Sequence, residues 1–250
     1  MTPTQVDQVV SVHGLKLHYR ETRVGLGSVG VPVVALHGHP GTAATWDGVA
    51  GAICAQGDGV EGSAGSSRFL ALTQRGYGES ARASSYAYAD FAADVYGFAD
   101  ALGLDSFVLL GHSFGGTIAS LAAGADSSRL LGLVLEDSVL PRDPRPWRGP
   151  ERPEGELPYD WDLVPAISSQ FSDPDPAWWA SLADIGCPTL VLAGGSTSHV
   201  PQELLAQAAE LIPAARLVTL EGAGHTAHRT RPERFAAEVR AFLGALAPGA

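Results

Sequence analysis

The sequence predicts an α/β fold, a mostly parallel central sheet with helices on both faces. Three observations predict it. Short runs that are apolar at nearly every position recur at 31–36, 69–72, 107–110, 130–135, 190–193 and 217–220, as strands do when both faces of their sheet are covered. Helical periodicity separates them, clearest in Phe91, Val95, Phe98 and Leu102, which recur at i, i+4, i+7 and i+11. The unusual segments, His37–Gly41, Ser113, Asp137, Gly194–Pro201 and His225, all follow strands. Open α/β sheets gather their chemistry at the carboxyl ends of the strands.

The elements follow in order. Val9–Val12 and Leu15–Tyr19 flank His13-Gly14 as a hairpin, and the second arm alternates as an antiparallel edge strand does. Gly25–Gly30 reads as a loop, and Trp46 and Val49 fall on a short helical stretch. Gln56–Ser67 is rich in Gly and Ser and reads as a flexible surface insertion. Phe69–Leu72 leads into Gln74–Ser80, and the amphipathic helix that follows ends at Gly103, which suits a left-handed cap. Leu130–Leu135 ends in Glu136-Asp137-Ser138. From Pro141 to about Asp184 no strand pattern occurs, proline is frequent, and Trp147, Trp161, Trp178 and Trp179 cluster.

Leu190–Ala193 resumes the sheet. A helix spans Glu203–Ile212 with Pro201 near its start, and Leu217–Leu220 is the last strand. A final helix runs from about Arg231 to Leu243. Thr230 and Glu233 stand at capping-box spacing at its start, and Phe235, Val239 and Phe242 form its apolar stripe. The expected organisation is one core in two parts, 1–140 and 185–250, interrupted by a short Pro- and Trp-rich insertion at 141–184. No internal repeat is visible.

Composition narrows the function. The 250 residues are 45% hydrophobic, enough for one large α/β core or two small ones. The net charge is −11, Lys16 is the only lysine, and the arginines are scattered. No basic stripe exists for nucleic acid or an anionic membrane surface. Cys54 and Cys187 are too few for a disulfide framework, and no Cys-x-x-Cys occurs. Met1–Gln8 is polar and no run approaches a membrane span, so the expected location is the cytoplasm. The eight histidines show no His-Glu-x-x-His or Cys/His ligand spacing, so no metal is expected. Residues 111–116 match no dinucleotide or P-loop fingerprint, and no cofactor is expected.

Ser113 is the centre of the chemistry. Phe107–Leu110 enters Gly111-His112-Ser113-Phe114-Gly115-Gly116, and a Gly- and Ala-rich helix leaves it. Gly-x-Ser-x-Gly between a strand and a helix is a nucleophile elbow. The sharp turn brings the flanking residues together, where no Cβ fits, and strains the serine backbone. The hydroxyl is left exposed above the sheet with a helix N-terminus behind it.

With HGHPGT at 37–42, RGYGES at 75–80, GHSFGG at 111–116, CPTLVLAG at 187–194 and GAGH at 222–225, the chain resembles the α/β-hydrolase superfamily over nearly its whole length. The resemblance implies the α/β-hydrolase fold, with 141–184 as a short cap, and places the nucleophile on Ser113 and the general base on His225. His228 is the rival base and the better candidate for supporting the loop. The oxyanion hole falls on the backbone N–H groups of Phe114 and His39, and the His39 imidazole is also a pocket candidate. Arg75 resembles the family's structural arginine, an ion-pair partner rather than a substrate clamp.

The acid is displaced. Gly194–Pro201, where much of the superfamily carries it, holds no carboxylate, only Thr197 or Ser198. Glu136-Asp137 follows the preceding strand, and adjacent strand residues point oppositely, so only one can face His225. Asp137 is the expected acid and Glu136 the runner-up. The pattern Glu-Asp-x-x-x-Pro followed by Gly-Gly-x-x-Ser-His-x-Pro is similar to actinobacterial members with the acid after the sixth strand.

The resemblance implies a serine hydrolase cleaving a small or medium carboxylic ester through an acyl-enzyme. The same residues could serve thioester, lactone, amide or carbon–carbon bond hydrolysis, or acyl transfer. A ligand-binding receptor on the same scaffold is the reading of another class. Trp178 and Trp179 are the cap's pocket candidates, and the arginines at 142, 145, 148 and 152 read as a mixed surface, offset by neighbouring acids. The expected partner is a small acyl substrate; the oligomeric state is left open.

Overall fold

The computed structural model describes residues 2–24, 30–55, 66–146, 149 and 151–246. Residues 56–65 of the expected insertion at 56–67, residues 25–29 of the expected loop at 25–30, and Trp147 lie outside the described residues. Ser66, at the insertion's end, is buried and donates to the Val31 and Arg68 carbonyls, so the chain is anchored there rather than free on the surface.

One sheet of eight strands organises the chain, in the order β1-β2-β4-β3-β5-β6-β7-β8. The strands are β1 (Thr4–Val12), β2 (Leu15–Arg23), β3 (Val33–Leu36), β4 (Phe69–Leu72), β5 (Phe107–His112), β6 (Leu130–Glu136), β7 (Thr189–Ala193) and β8 (Ala215–Thr219). The hairpin β1–β2 pairs antiparallel, and β2 joins β4 antiparallel; every pairing from β4 to β8 is parallel. At the hairpin, His13 and Gly14 both take positive φ (49° and 81°), as a two-residue loop matched to strand twist requires.

The sheet is covered on both faces because successive residues point to opposite sides. Val34, Leu36, Leu109 and Leu135 face one apolar cluster, with α2 (Tyr88–Ala101) and α3 (Phe114–Ala125). Val33, Ala35, Val108 and Leu110 face the other, with α1 (Asp47–Cys54) and α8 (Pro232–Leu246). In α2, Phe91, Val95 and Phe98 are buried, and Gly103 follows with φ 63°.

Between β6 and β7 lie α4 (Leu163–Ser172) and α5 (Pro176–Ala180). After β7 come α6 (Gln202–Leu211), β8, the short α7 (Ala227–Thr230) and α8.

Two departures from expectation sit at the sheet edges. β1 begins at Thr4 and is mostly exposed, and β8 begins at Ala215 with an exposed face. An edge strand needs only its hydrogen-bond partner, so apolar runs mark it poorly. The capping box at Thr230 does not form: the hydroxyl donates to the Ala223 and Thr226 carbonyls, bracing the loop before α8 instead.

Candidate active site

Ser113 is the first residue beyond β5 and the N-cap of α3, with φ 51° and ψ −121°. Such a conformation costs a non-glycine residue about 1–3 kcal/mol and persists only when its surroundings enforce it. Here they do. A Cβ on Gly111 would meet the Gly115 carbonyl, and one on Gly115 would meet the Leu36 and His37 carbonyls, so the turn closes only on bare backbone. Ser138 Oγ donates to the Ser113 carbonyl (2.6 Å) and pins the turn from the neighbouring strand end. Phe114 opens α3, so its N–H has no intrahelical acceptor and is available beside the serine.

Ser113 Oγ lies 3.0 Å from His225 Nε2, and His225 Nδ1 lies 2.8 Å from Asp137 Oδ2. With Nδ1–H donated to the carboxylate, Nε2 presents its lone pair to the serine hydroxyl. Asp137 is fully buried and also holds a positive φ, 42°. Its N–H continues the sheet by donating to the Leu192 carbonyl (2.8 Å), and the left-handed turn then aims the carboxylate across the strand ends. Gly194 N–H (3.0 Å) and Gln202 Nε2 (3.3 Å) donate to Oδ1, and Ser198 Oγ donates to Oδ2 beside His225. Burial pushes the Asp137 carboxyl up, but the hydrogen bonds from His225, Ser198, Gly194 and Gln202 outweigh it and hold its pKa below the ordinary value. Ser198 and Gln202 escaped the sequence reading as partners of the acid. The signal was present, since Ser198 occupies the loop where a carboxylate was expected.

Glu136 goes the other way. It is fully buried and accepts the backbone N–H of His228 (2.8 Å) and its Nδ1–H (2.8 Å to Oε2). The two adjacent carboxylates therefore serve two different histidines. His112 Nε2–H donates to the His225 carbonyl (2.7 Å). His112, Glu136 and His228 are the group of potential ligand side chains that gathers among the described residues. His112 Nε2 and the Glu136–His228 pair brace the loop that carries His225, while His112 Nδ1 and His228 Nε2 are buried with no hydrogen-bond partner among the described residues. His199 packs on the other side of His225, ring centroids 4.1 Å apart.

The loop that carries the second oxyanion candidate is braced by His37. Gln74 N–H donates to His37 Nε2 (3.1 Å), so the proton sits on Nδ1, which donates to the Gly38 carbonyl (2.9 Å). Gln74 Nε2 donates back to the His37 carbonyl (2.8 Å). Burial pushes the His37 pKa down to about 4. The His39 imidazole bonds the Tyr77 hydroxyl (3.0 Å). Arg75 forms a two-pronged ion pair with buried Asp94, both contacts 2.7 Å, away from the serine.

A cavity of about 390 Å³ opens beside Ser113 and His225. Tyr88, Val139, Leu140, Ile167, Phe171 and Leu204 give it apolar walls. The expected tryptophans are not among its lining residues. Trp178 stacks on Tyr88 (centroids 5.0 Å apart, planes 17° apart), and Trp179 lies under the Arg142 guanidinium. Each ring has a face taken by these contacts, and α4 supplies the wall instead. His39 lines a second cavity, which His225 also borders.

The comparisons with known proteins fit this architecture. Residues 33–238 match the model of the Alpha/beta hydrolase family. The chain is 26% identical to the N-formylmaleamate deformylase of Pseudomonas putida, covering 86% of this chain and 88% of that one. It is 25% identical to the mouse sn-1-specific diacylglycerol lipase ABHD11, covering 70% and 71%. An alpha/beta hydrolase fold protein from Chitinophaga pinensis superposes with a TM-score of 0.75 at 18% identity, covering 96% of this chain and 98% of that one. No helix among the described residues is long and apolar enough to cross a membrane. By the match over most of its length, this chain belongs to the alpha/beta hydrolase family.

Proposed function

We propose that the protein is a serine hydrolase that cleaves a small or medium carboxylic ester through an acyl-enzyme. The observation that carries the reading is the hydrogen-bonded series Ser113–His225–Asp137, 3.0 and 2.8 Å, at the mouth of an apolar cavity. His225 takes the Ser113 proton as the hydroxyl attacks the ester carbonyl, and Asp137 stabilises the imidazolium that forms. The N–H groups of Phe114 and His39 receive the oxyanion; one such donor contributes about 3–4 kcal/mol to the transition state. His225 then protonates the leaving alcohol and activates water against the acyl-enzyme. Glu136 is assigned to His228, which steadies the loop.

Residues 141–184 act as a short cap whose helix α4 walls the acyl pocket. No cofactor enters this scheme. The two cysteines, Cys54 and Cys187, are buried and free, which suits a cytoplasmic enzyme. One relative is named as a deformylase and another as a lipase, names that agree with acyl chemistry here.

A fluorophosphonate probe tests the nucleophile, and 4-nitrophenyl acetate tests the reaction. The expected result is stoichiometric labelling and a burst of 4-nitrophenol, both lost in Ser113→Ala. Labelling without a burst or turnover of any short-chain ester would favour a receptor on the hydrolase scaffold.

A further inference from the structure

We infer that the cavity beside Ser113 carries an anion subsite at Arg145, and that the preferred substrate is an ester whose acyl chain bears a distal carboxylate. The inference rests on Ser113 being the acylated nucleophile. In sequence, Arg145 belongs to a run of arginines interleaved with acids, which reads as a mixed surface. The structure separates that run. Arg142 is engaged by Asp143 (3.1 Å) and Gln207 (2.8 Å). Arg145 lines the same cavity as Ser113 and His225, and among the described lining residues it is the only lysine or arginine.

Arg145 is held without being neutralised. Its main-chain N–H donates to the Ser172 carbonyl (2.8 Å), at the end of α4. Its guanidinium lies over the Phe171 ring, 5.2 Å from the centroid, an arrangement that leaves the N–H edge of the fork free. No carboxylate among the described residues lies within ion-pair distance of it. The cavity's single carboxylate is Asp137, whose oxygens are already taken by His225, Ser198, Gly194 and Gln202. Arg145 is exposed, and among the described residues it has no carboxylate partner to compete with a ligand.

The rest of the cavity sets the spacer. Val139, Leu140, Ile167, Phe171 and Leu204, which line the cavity together with Ser113 and Arg145, are aliphatic and aromatic and suit methylenes. The second cavity bordered by His225, lined by His39, Thr42, Thr45 and Thr226, offers hydroxyls and an imidazole instead. That lining suits the leaving alcohol or water, and leaves the acyl chain to the apolar side. A planar carboxylate at the chain's far end would accept two parallel N–H bonds from the guanidinium, which ammonium or hydroxyl donors cannot reproduce.

The test compares mono(4-nitrophenyl) adipate with 4-nitrophenyl hexanoate in the full-length protein and in its Arg145→Gln and Arg145→Lys variants. The wild type is expected to favour adipate by about tenfold in kcat/KM, a modest figure for a two-pronged charge-assisted pair because Arg145 is exposed and water competes for its N–H groups. Arg145→Gln brings the ratio to near one, and Arg145→Lys keeps part of it. Both esters are measured on one preparation, so loss of folded protein cancels from the ratio. A wild-type ratio near one, or a preference that survives in Arg145→Gln, overturns the inference.

If neither ester is turned over, the ester reading fails separately. The subsite is then read from free adipate protecting Ser113 against fluorophosphonate labelling. Protection in the wild type that is lost in Arg145→Gln supports it, and equal protection in both, or none, overturns it.

Discussion

Asp137→Asn is the substitution whose outcome the structure specifies most closely. It changes one oxygen to an amide NH2 and leaves shape and volume alone. Two arrangements of the new side chain are possible. With its oxygen toward His225, the NH2 faces the backbone N–H of Gly194, now 3.0 Å from Oδ1. Gly194 lies in the main chain at the end of β7, and its N–H cannot turn away. With the NH2 toward His225, the oxygen keeps the Gly194 bond, the Ser198 hydroxyl rotates to accept, and His225 moves its proton from Nδ1 to Nε2 to accept as well.

The second arrangement leaves no donor facing a donor, so it is the one adopted. It places N–H rather than a lone pair on the nitrogen 3.0 Å from Ser113 Oγ. The base is then lost without a change of geometry. Loss of the correct tautomer in such a triad costs about 10⁴ in kcat, or about 5 kcal/mol of barrier. The assay is kcat on a short-chain 4-nitrophenyl ester, with the fluorophosphonate labelling rate as a second reading. Activity within tenfold of wild type would refute both the assignment of Asp137 and the tautomer argument.

Other outcomes follow from the same coordinates. Glu136→Gln removes a buried charge from His228 but leaves an acceptor, so denaturant unfolding should show a loss of about 1–3 kcal/mol while kcat falls less than tenfold. Ser198→Ala removes one donor from Asp137, so the carboxyl pKa rises; a 13C NMR titration of the Asp137 carboxyl should place its midpoint at higher pH than in the wild type, and an unmoved midpoint would argue against the bond. His37 has a folded pKa of about 4 against an ordinary 6.5. The unfolded chain takes the proton first, so stability is full above about pH 6.5 and falls as the pH drops toward 4, by about 3 kcal/mol over that range. His37→Gln, which can keep both the Gln74 and Gly38 contacts, should flatten that part of the stability profile; an unchanged slope would locate the effect elsewhere.

Much of the fold was legible because burial on two faces leaves a mark in the chain. Strands β3, β4, β5 and β7 are covered on both sides and read as unbroken apolar runs. β1 and β8, with a partner on one side only, carried a weaker pattern, and their starts were misplaced for that reason. The Thr230 capping box shows a second limit. The spacing was right, but a nearer carbonyl at Ala223 took the hydroxyl.

The α/β class, the strand–turn–helix around Ser113, and the clustering of unusual residues at strand ends can all be read from the order of residues alone. Each follows from periodicity or from backbone demands that a few consecutive residues express. Which way neighbouring side chains turn is fixed by packing across the sheet. Glu136 and Asp137 are adjacent in the chain, yet one meets His228 and the other His225 because a left-handed turn at Asp137 follows the strand. Trp178 and Trp179 carried the right chemistry for a pocket, but contacts with Tyr88 and Arg142 took their faces. Arg145, hidden among offsetting charges in the sequence, stands in the cavity of Ser113 with no carboxylate partner among the described residues. Pairing across the ends of separate strands depends on distances that no stretch of consecutive residues encodes.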